Sequence, residues 1–245
     1  LFKTKVVISN TIPDKHVNLN IAMNHLKDTY RHQGKRKLLV EELGKMGIQD
    51  VRILKAFNEV PRHFFMDLAL DDLAYTNGAF HIGSGQTISH PYTVAFQTEL
   101  LELTPKMKVL EIGTGSGFQT CILCELGARV YSIERHQDLH VKANQLIKHL
   151  NYDARLKYGD GYQGWPSYAP FERILVTCGA PDVPEELLKQ LAVGGIMVIP
   201  VGEGEEQRML RTKRASEFEF TSEELGTFKF VPMLERRVDI KDINR

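Results

Sequence analysis

The chain has 245 residues, 42% hydrophobic and 25% charged, with 31 Lys and Arg balanced by 31 Asp and Glu. This composition excludes a disordered or fibrous chain, and zero net charge argues against a broad grip on nucleic acid, which needs excess cations to neutralise phosphates. No apolar stretch approaches the ~20 residues that span a bilayer, and three cysteines are too few for a disulfide scaffold, so the expected setting is a reducing cytoplasm.

Residues 1–20 carry little periodicity, and 1–30 read as an N-terminal extension of open role, ahead of a single domain over 31–245. A helix is expected from Asn20 to about Tyr30, followed by a basic run from Arg31 to Lys37 that reads as solvated surface. Leu38, Leu39, Leu43 and Met46 share one face of a further helix that ends at Gly47. Asp50 is placed to cap the next helix, which carries Ile53, Leu54 and Phe57 and stops at Pro61. Residues 71–90 lack periodicity and contain Asn77-Gly78, Gly83 and Gly85; a long irregular segment in a compact domain is usually functional. Pro91 suits the first turn of a helix, with Ser89 or His90 as its cap. Residues 31–104 thus form a helical lobe and substrate loop, and 105–245 a sheet.

After Pro105 the rhythm becomes strand–helix alternation. Strands are expected at Lys108–Ile112, Val130–Ile133, Arg155–Tyr158, Arg173–Thr177 and Ile196–Val201, with helices through Leu126, over Gln137–Leu150 and from Pro184. Such alternation implies a doubly wound, mostly parallel sheet covered on both faces. The end differs: Gly202-Glu203-Gly204 reads as a hairpin loop to Met209–Thr212, and a last antiparallel strand is expected at Thr227–Val231.

The densest local signal is Val109-Leu110-Glu111-Ile112-Gly113-Thr114-Gly115-Ser116-Gly117, where glycines at a strand-to-helix turn let backbone approach a ligand. Glu134 ends the second strand 21 residues after Gly113, against roughly 20 expected for an acid that accepts hydrogen bonds from a ribose. The pattern is G-x-G-x-G with Phe118 where a dinucleotide site has glycine, and no Lys stands in the loop. That disfavours nicotinamide dinucleotides and the P-loop, and favours S-adenosyl-L-methionine, held between Glu111, the loop Gly113–Gly117 and Glu134. Asp160-Gly161 ends the third strand on the same rim, where Asp160 is placed to accept from an adenine amino group, although Gly-Asp-Gly also reads as a turn.

Several ordered motifs then resemble the protein-L-isoaspartate (D-aspartate) O-methyltransferase family. They are Gly85-Gln86-Thr87-Ile88-Ser89-His90-Pro91-Tyr92, Leu110–Gly117, Gly159-Asp160-Gly161 ahead of Gly164-Trp165, and Ile199-Pro200-Val201-Gly202. Val60-Pro61-Arg62 with Phe64-Phe65, and Phe230-Val231-Pro232-Met233, extend the similarity over roughly residues 33–234. The resemblance implies an S-adenosylmethionine-dependent methyltransferase (Rossmann-like) fold with an N-terminal helical lobe and an antiparallel C-terminal strand. It implies transfer of a methyl group to the free carboxylate of isoaspartyl and D-aspartyl residues in damaged proteins, leaving S-adenosyl-L-homocysteine. By the same resemblance Ser89 is the active-site serine, Gln86, Thr87 and Ile88 line the junction of substrate and cofactor, and Val231 and Pro232 border the isoaspartyl backbone. The expected partners are isoaspartyl peptides and proteins, met by a monomer with no stable nucleic acid and no membrane. Methylation of a small molecule or nucleic acid on the same fold is the alternative. His81 and Met233 depart from the residues common in relatives.

Other signals lead elsewhere. Cys121 and Cys124 form a C-x-x-C inside an apolar helix with no second pair, which reads as packing. His136 and His140 stand at metal-capable spacing without the H-E-x-x-H glutamate.

Overall fold

The computed structural model describes residues 26–243. The helical lobe opens with α1 (Tyr30–Lys45), whose cap Thr29 accepts from the His32 N–H. The helix expected over 20–30 is therefore corrected: residues 20–25 lie outside the described residues, and a helix begins where that one was to end. The basic run sits inside α1 and holds acids across the lobe. Arg31 and Lys35 pair with Asp72 at 2.6 and 3.0 Å, His32 with Asp71 at 2.9 Å, and Arg36 with Asp28 at 2.9 Å. Asp50 caps α2 (Val51–Glu59), which buries Ile53, Ala56 and Phe57.

The segment read as irregular holds a β-hairpin. β1 (Phe80–Gly83) pairs antiparallel with β2 (Gln86–Ile88), His81 facing Thr87. Strands of three or four residues are too short to show a period, and Gly83, Ser84 and Gly85 turn between them at positive φ. The Ser84 hydroxyl donates to the Asp138 carboxylate at 2.8 Å, fixing the hairpin tip to the helix behind the cofactor loop. α3 (Pro91–Leu100) follows with Pro91 in its first turn.

The main sheet comprises β3 (Lys108–Ile112), β4 (Arg129–Glu134), β5 (Ala154–Tyr158), β6 (Phe171–Val176), β7 (Leu191–Val201), β8 (Gln207–Arg214) and β9 (Phe220–Phe228). Their order is β5-β4-β3-β6-β7-β8-β9. Pairings up to β7 are parallel and the last two antiparallel. Helices α4 (Phe118–Glu125), α5 (Gln137–His149) and α6 (Glu185–Gln190) connect the parallel strands, and a short α7 (Ile240–Ile243) ends the chain. The order reverses between β3 and β6, which is where such sheets open a crevice at their carboxyl ends.

The last strand also differs from expectation. β9 stops at Phe228, and residues 231–233 leave the sheet edge to run beside the tip of β6, with Val231 and Met233 bonded to Gly179. β7 begins earlier than expected, at Leu191, with a register shift opposite Phe171–Arg173. Two apolar clusters lie on opposite faces of the sheet, one reaching into the lobe through Leu43, Phe57, Phe65 and Phe118, the other around Tyr131, Phe171 and Met197. No helix among the described residues is long and apolar enough to cross a membrane.

Phe118 joins lobe to sheet. It is 1% exposed and meets Phe57 and Phe65 edge-on, with ring centroids 5.6 and 5.5 Å away. The residue that breaks the dinucleotide pattern is thus the anchor of the helical lobe.

Candidate active site

Two adjoining chambers lie over the carboxyl ends of β3, β4 and β6, sharing Thr87, Gly113, Gly115 and Thr177. The first takes Gln86, Glu134, Gly161, Val231 and Pro232 from the expected residues and adds Ile112, Ile133, Arg135, Cys178, Met233 and Leu234. The second takes Ile88, Ser89, Thr114 and Ser116, and adds Val94, Gln97, Phe118 and Gln119. The hairpin and the glycine loop, 25 residues apart in sequence from Ile88 to Gly113, therefore form facing walls.

The cradle is shaped by what is missing at Cβ. Gly113 sits at φ +96°, and a Cβ there would lie 2.5 Å from Thr177 Oγ1. That hydroxyl is shared between the Ile112 and Gly113 carbonyls at 2.9 and 2.7 Å, which ties the end of β6 to the loop. Gly161 leaves the wall flat for the same reason, since a Cβ would collide with Ile112 Cγ2. Gly117 begins α4 at φ +90° and packs under Ile147; it supports the loop without lining either chamber.

Glu134 stands on the first chamber's rim, 3% exposed. One carboxylate oxygen accepts from Gly115 N–H and the other from His136 N–H, both at 2.8 Å. Burial raises its pKa, opposed by these backbone donors. A carboxylate held this way locks the glycine loop to β4, and each oxygen keeps a further lone pair.

Two expected cofactor acids lie elsewhere. Glu111 is fully buried under α4, where it accepts from the Thr120 hydroxyl; its other oxygen has no partner among the described residues. The cause is strand alternation: Glu111 shares a face with Val109, and Leu110 and Ile112 share the other. Ile112, not Glu111, lines the first chamber. Burial pushes the Glu111 carboxyl up to about 7. Asp160 lies beside the wall formed by Gly161, and its two oxygens accept from Tyr162 N–H and Arg236 N–H at 2.9 Å each. It caps a turn and pins the segment beyond Met233 that closes the chamber. Arg135 grips that segment from the other side, through the Glu235 and Arg236 carbonyls.

Ser89 is half-buried in the second chamber. His90 is the cap residue of α3 and no side chain caps the helix, so the Ser89 hydroxyl is not spent on capping. Val231 gives its carbonyl to Gly179 N–H, while its own N–H has no backbone partner among the described residues. Thr177, Cys178, Arg135, Gln97 and Gln119 were not expected. Thr177 and Cys178 follow β6 directly, so the rule that ligands gather at carboxyl strand ends is the signal that finds them. Burial pushes the Cys178 thiol up to about 12, so it stays protonated at neutral pH.

The signals set aside stay outside the site. Cys121 and Cys124 are free thiols, the latter pushed up to about 12 by burial. Among the described residues the one metal-capable group is Asp28, His32 and His63, in the lobe. Each is already bonded, Asp28 by Arg36, His32 to Asp71, and His63 to Tyr75 and the Lys27 carbonyl.

Comparison with known proteins places these residues in context. The family model described as Protein-L-isoaspartate(D-aspartate) O-methyltransferase matches residues 34–238. A protein-L-isoaspartate O-methyltransferase of Christiangramia forsetii is 54% identical over 211 residues, 86% of this chain and 99% of that protein. One of Cytophaga hutchinsonii is 51% identical over 209 residues, 85% of this chain and 95% of that one. Among solved structures, a Plasmodium falciparum chain described as a candidate enzyme of this kind, in complex with S-adenosyl-L-homocysteine, superposes with TM-score 0.72 at 25% identity, covering 81% of this chain and 98% of that one.

Proposed function

The chain belongs to the protein-L-isoaspartate(D-aspartate) O-methyltransferase family, and from that premise we propose that the two chambers divide the work of methylating isoaspartyl carboxylates. The first chamber suits a nucleoside: Ile112, Ile133 and Met233 give it apolar walls, Gly161 keeps one wall flat, and Glu134 offers a carboxylate for a ribose diol. The second, lined by Ser89, Thr87 and Thr114, suits the polar groups that react. When bound, S-adenosyl-L-methionine supplies a methyl carried on a sulfonium; a carboxylate oxygen takes it, and neutral S-adenosyl-L-homocysteine leaves.

The residues have little acid–base work to do. A carboxylate of pKa about 4 is ionised at neutral pH, so no general base is required, and rate comes from alignment and exclusion of water. Ser89 donates a hydrogen bond to the incoming carboxylate and orients it rather than attacking. Buried Ile88 and the neighbouring Thr87 and Gln86 keep water from the junction of the chambers. The free N–H of Val231, next to Pro232, is offered to the substrate backbone, a mode of holding that tolerates many sequences. Glu111 and Asp160 act from behind, Glu111 beneath the glycine loop and Asp160 on the closing segment. The observation that carries this reading is the meeting of the hairpin's Ser89 with the glycine loop in one chamber. Action as a monomer in the cytoplasm, without a stable nucleic-acid partner, completes it, supported by the balanced charge and three free cysteines.

Ser89→Ala is expected to lower kcat for an isoaspartyl peptide by about tenfold to a hundredfold, the worth of one hydrogen bond to a charged group, while S-adenosylhomocysteine binds within twofold of wild type. Steady-state kinetics with calorimetric titration of the product decide it. Weakened product binding with unchanged kcat would make Ser89 a cofactor ligand.

A further inference from the structure

Arg62 is the largest of the fully buried side chains, 1% exposed, and sits inside the helical lobe rather than in either chamber. Its Nη2 donates to the Ser89 carbonyl at 2.9 Å and to the Gly78 carbonyl at 3.1 Å. Its guanidinium carbon lies 5.1 Å from the centre of the Phe118 ring, and Phe118 walls the same chamber as Ser89. Nε and Nη1 have no hydrogen-bond partner among the described residues. Among the described residues no carboxylate compensates the charge: burial pushes its pKa down to about 9, and Tyr75 alone acts in the other direction.

A buried guanidinium without a counter-ion is among the costliest arrangements a fold can hold. If its task were only to fill space or to bond two carbonyls, an apolar residue or an amide would do so more cheaply. What Arg62 holds is the backbone of Ser89, and what it adds is unneutralised positive charge behind the wall where a carboxylate must arrive.

We propose that Arg62 is a positioning residue of the methyl transfer, fixing the Ser89 backbone from within and lending the chamber a positive field that draws the substrate carboxylate. The assignment rests on Ser89 as the residue that meets that carboxylate. Its two parts have separate kinetic signatures. Loss of the rigid planar guanidinium, whose Nη2 makes both bonds and which lies against the Phe118 ring, misplaces Ser89 and lowers kcat. Loss of the charge weakens binding of the anion and raises KM. Methyl transfer removes one negative and one positive charge, so a field that favours the carboxylate acts more on the bound substrate than on the transition state.

The test pairs Arg62→Lys, which keeps the charge and loses the planar guanidinium that places Nη2, with Arg62→Gln, which keeps a donor and loses the charge. Arg62→Lys should lower kcat about tenfold with KM near wild type, and Arg62→Gln should raise KM for an isoaspartyl peptide about tenfold, the scale of a charged hydrogen bond. S-adenosylhomocysteine affinity should stay within twofold in both. In a Ser89→Ala background the kcat effect of Arg62→Lys should shrink to less than about twofold. An undiminished effect there, equal losses in both variants, or a parallel loss of product affinity would overturn the proposal. A silent Ser89→Ala would instead sink the reading of Ser89 and take this proposal with it. Should neither variant fold, arginine-labelled wild-type enzyme with bound S-adenosylhomocysteine gives the answer by NMR: the Arg62 Nε–H resonance should move on adding isoaspartyl peptide and not on adding its aspartyl twin. An unmoved resonance would overturn the proposal.

Discussion

Replacing Gly113 with alanine is expected to remove nearly all methyl transfer by removing cofactor binding. The residue sits at φ +96°, where an L side chain costs about 1–2 kcal/mol. Its Cβ would lie 2.5 Å from Thr177 Oγ1, so that hydroxyl must turn away and release the Ile112 and Gly113 carbonyls, at about 1 kcal/mol each. Together these amount to about 3–4 kcal/mol, or roughly a 100- to 1,000-fold loss of affinity where the strain falls on the bound state. Calorimetric titration with S-adenosylhomocysteine measures it. Thr177→Ala in the same chain should recover part of the loss, because the next contact of the added Cβ, with Thr177 Cβ, is an ordinary 3.8 Å. Wild-type affinity in Gly113→Ala would mean that the loop is not the cradle.

Glu134→Gln should weaken cofactor binding by about 2–3 kcal/mol, roughly 30- to 150-fold, the loss of hydrogen bonds to a charged acceptor. The carboxylate now accepts from both Gly115 and His136 N–H groups, and an amide turns one of those acceptors into a donor facing a donor. The variant therefore loosens the loop as well as losing the charge that the proposed ribose contact uses. Burial raises the Glu134 pKa, so wild-type affinity should fall on acidification at a higher pH than an ordinary carboxylate would give, because protonation also removes an acceptor. Affinity independent of pH across that range, with Glu134→Gln unchanged, would take Glu134 out of the site.

The glycine loop and Glu134, which meet at the first chamber, are legible in the chain because their signals are local. Buried parallel strands read as apolar runs, the glycines stand together, and Glu134 follows at a fixed spacing. Alternation and competition decide where two of the acids stand. Glu111 points away from the face of β3 that carries Leu110 and Ile112, and Ile112 lines the first chamber. Asp160 spends both oxygens on backbone N–H groups, the turn reading that Gly-Asp-Gly always allowed. The substrate half depends on contacts distant in sequence. The hairpin strands are too short to show a period, and Val231 leaves β9 because Gly179 offers it a partner. Arg62 is the extreme case, since no pattern predicts that an arginine will be 1% exposed.

In the proposed function the second chamber recognises an isoaspartyl carboxylate, which is methylated there. The most direct measurement is transfer of labelled methyl from S-adenosyl-L-methionine to an isoaspartyl peptide and to its twin carrying normal aspartate. Label should enter the isoaspartyl peptide, as a base-labile methyl ester, and not its twin. Equal labelling of both peptides, or of neither, would contradict the account.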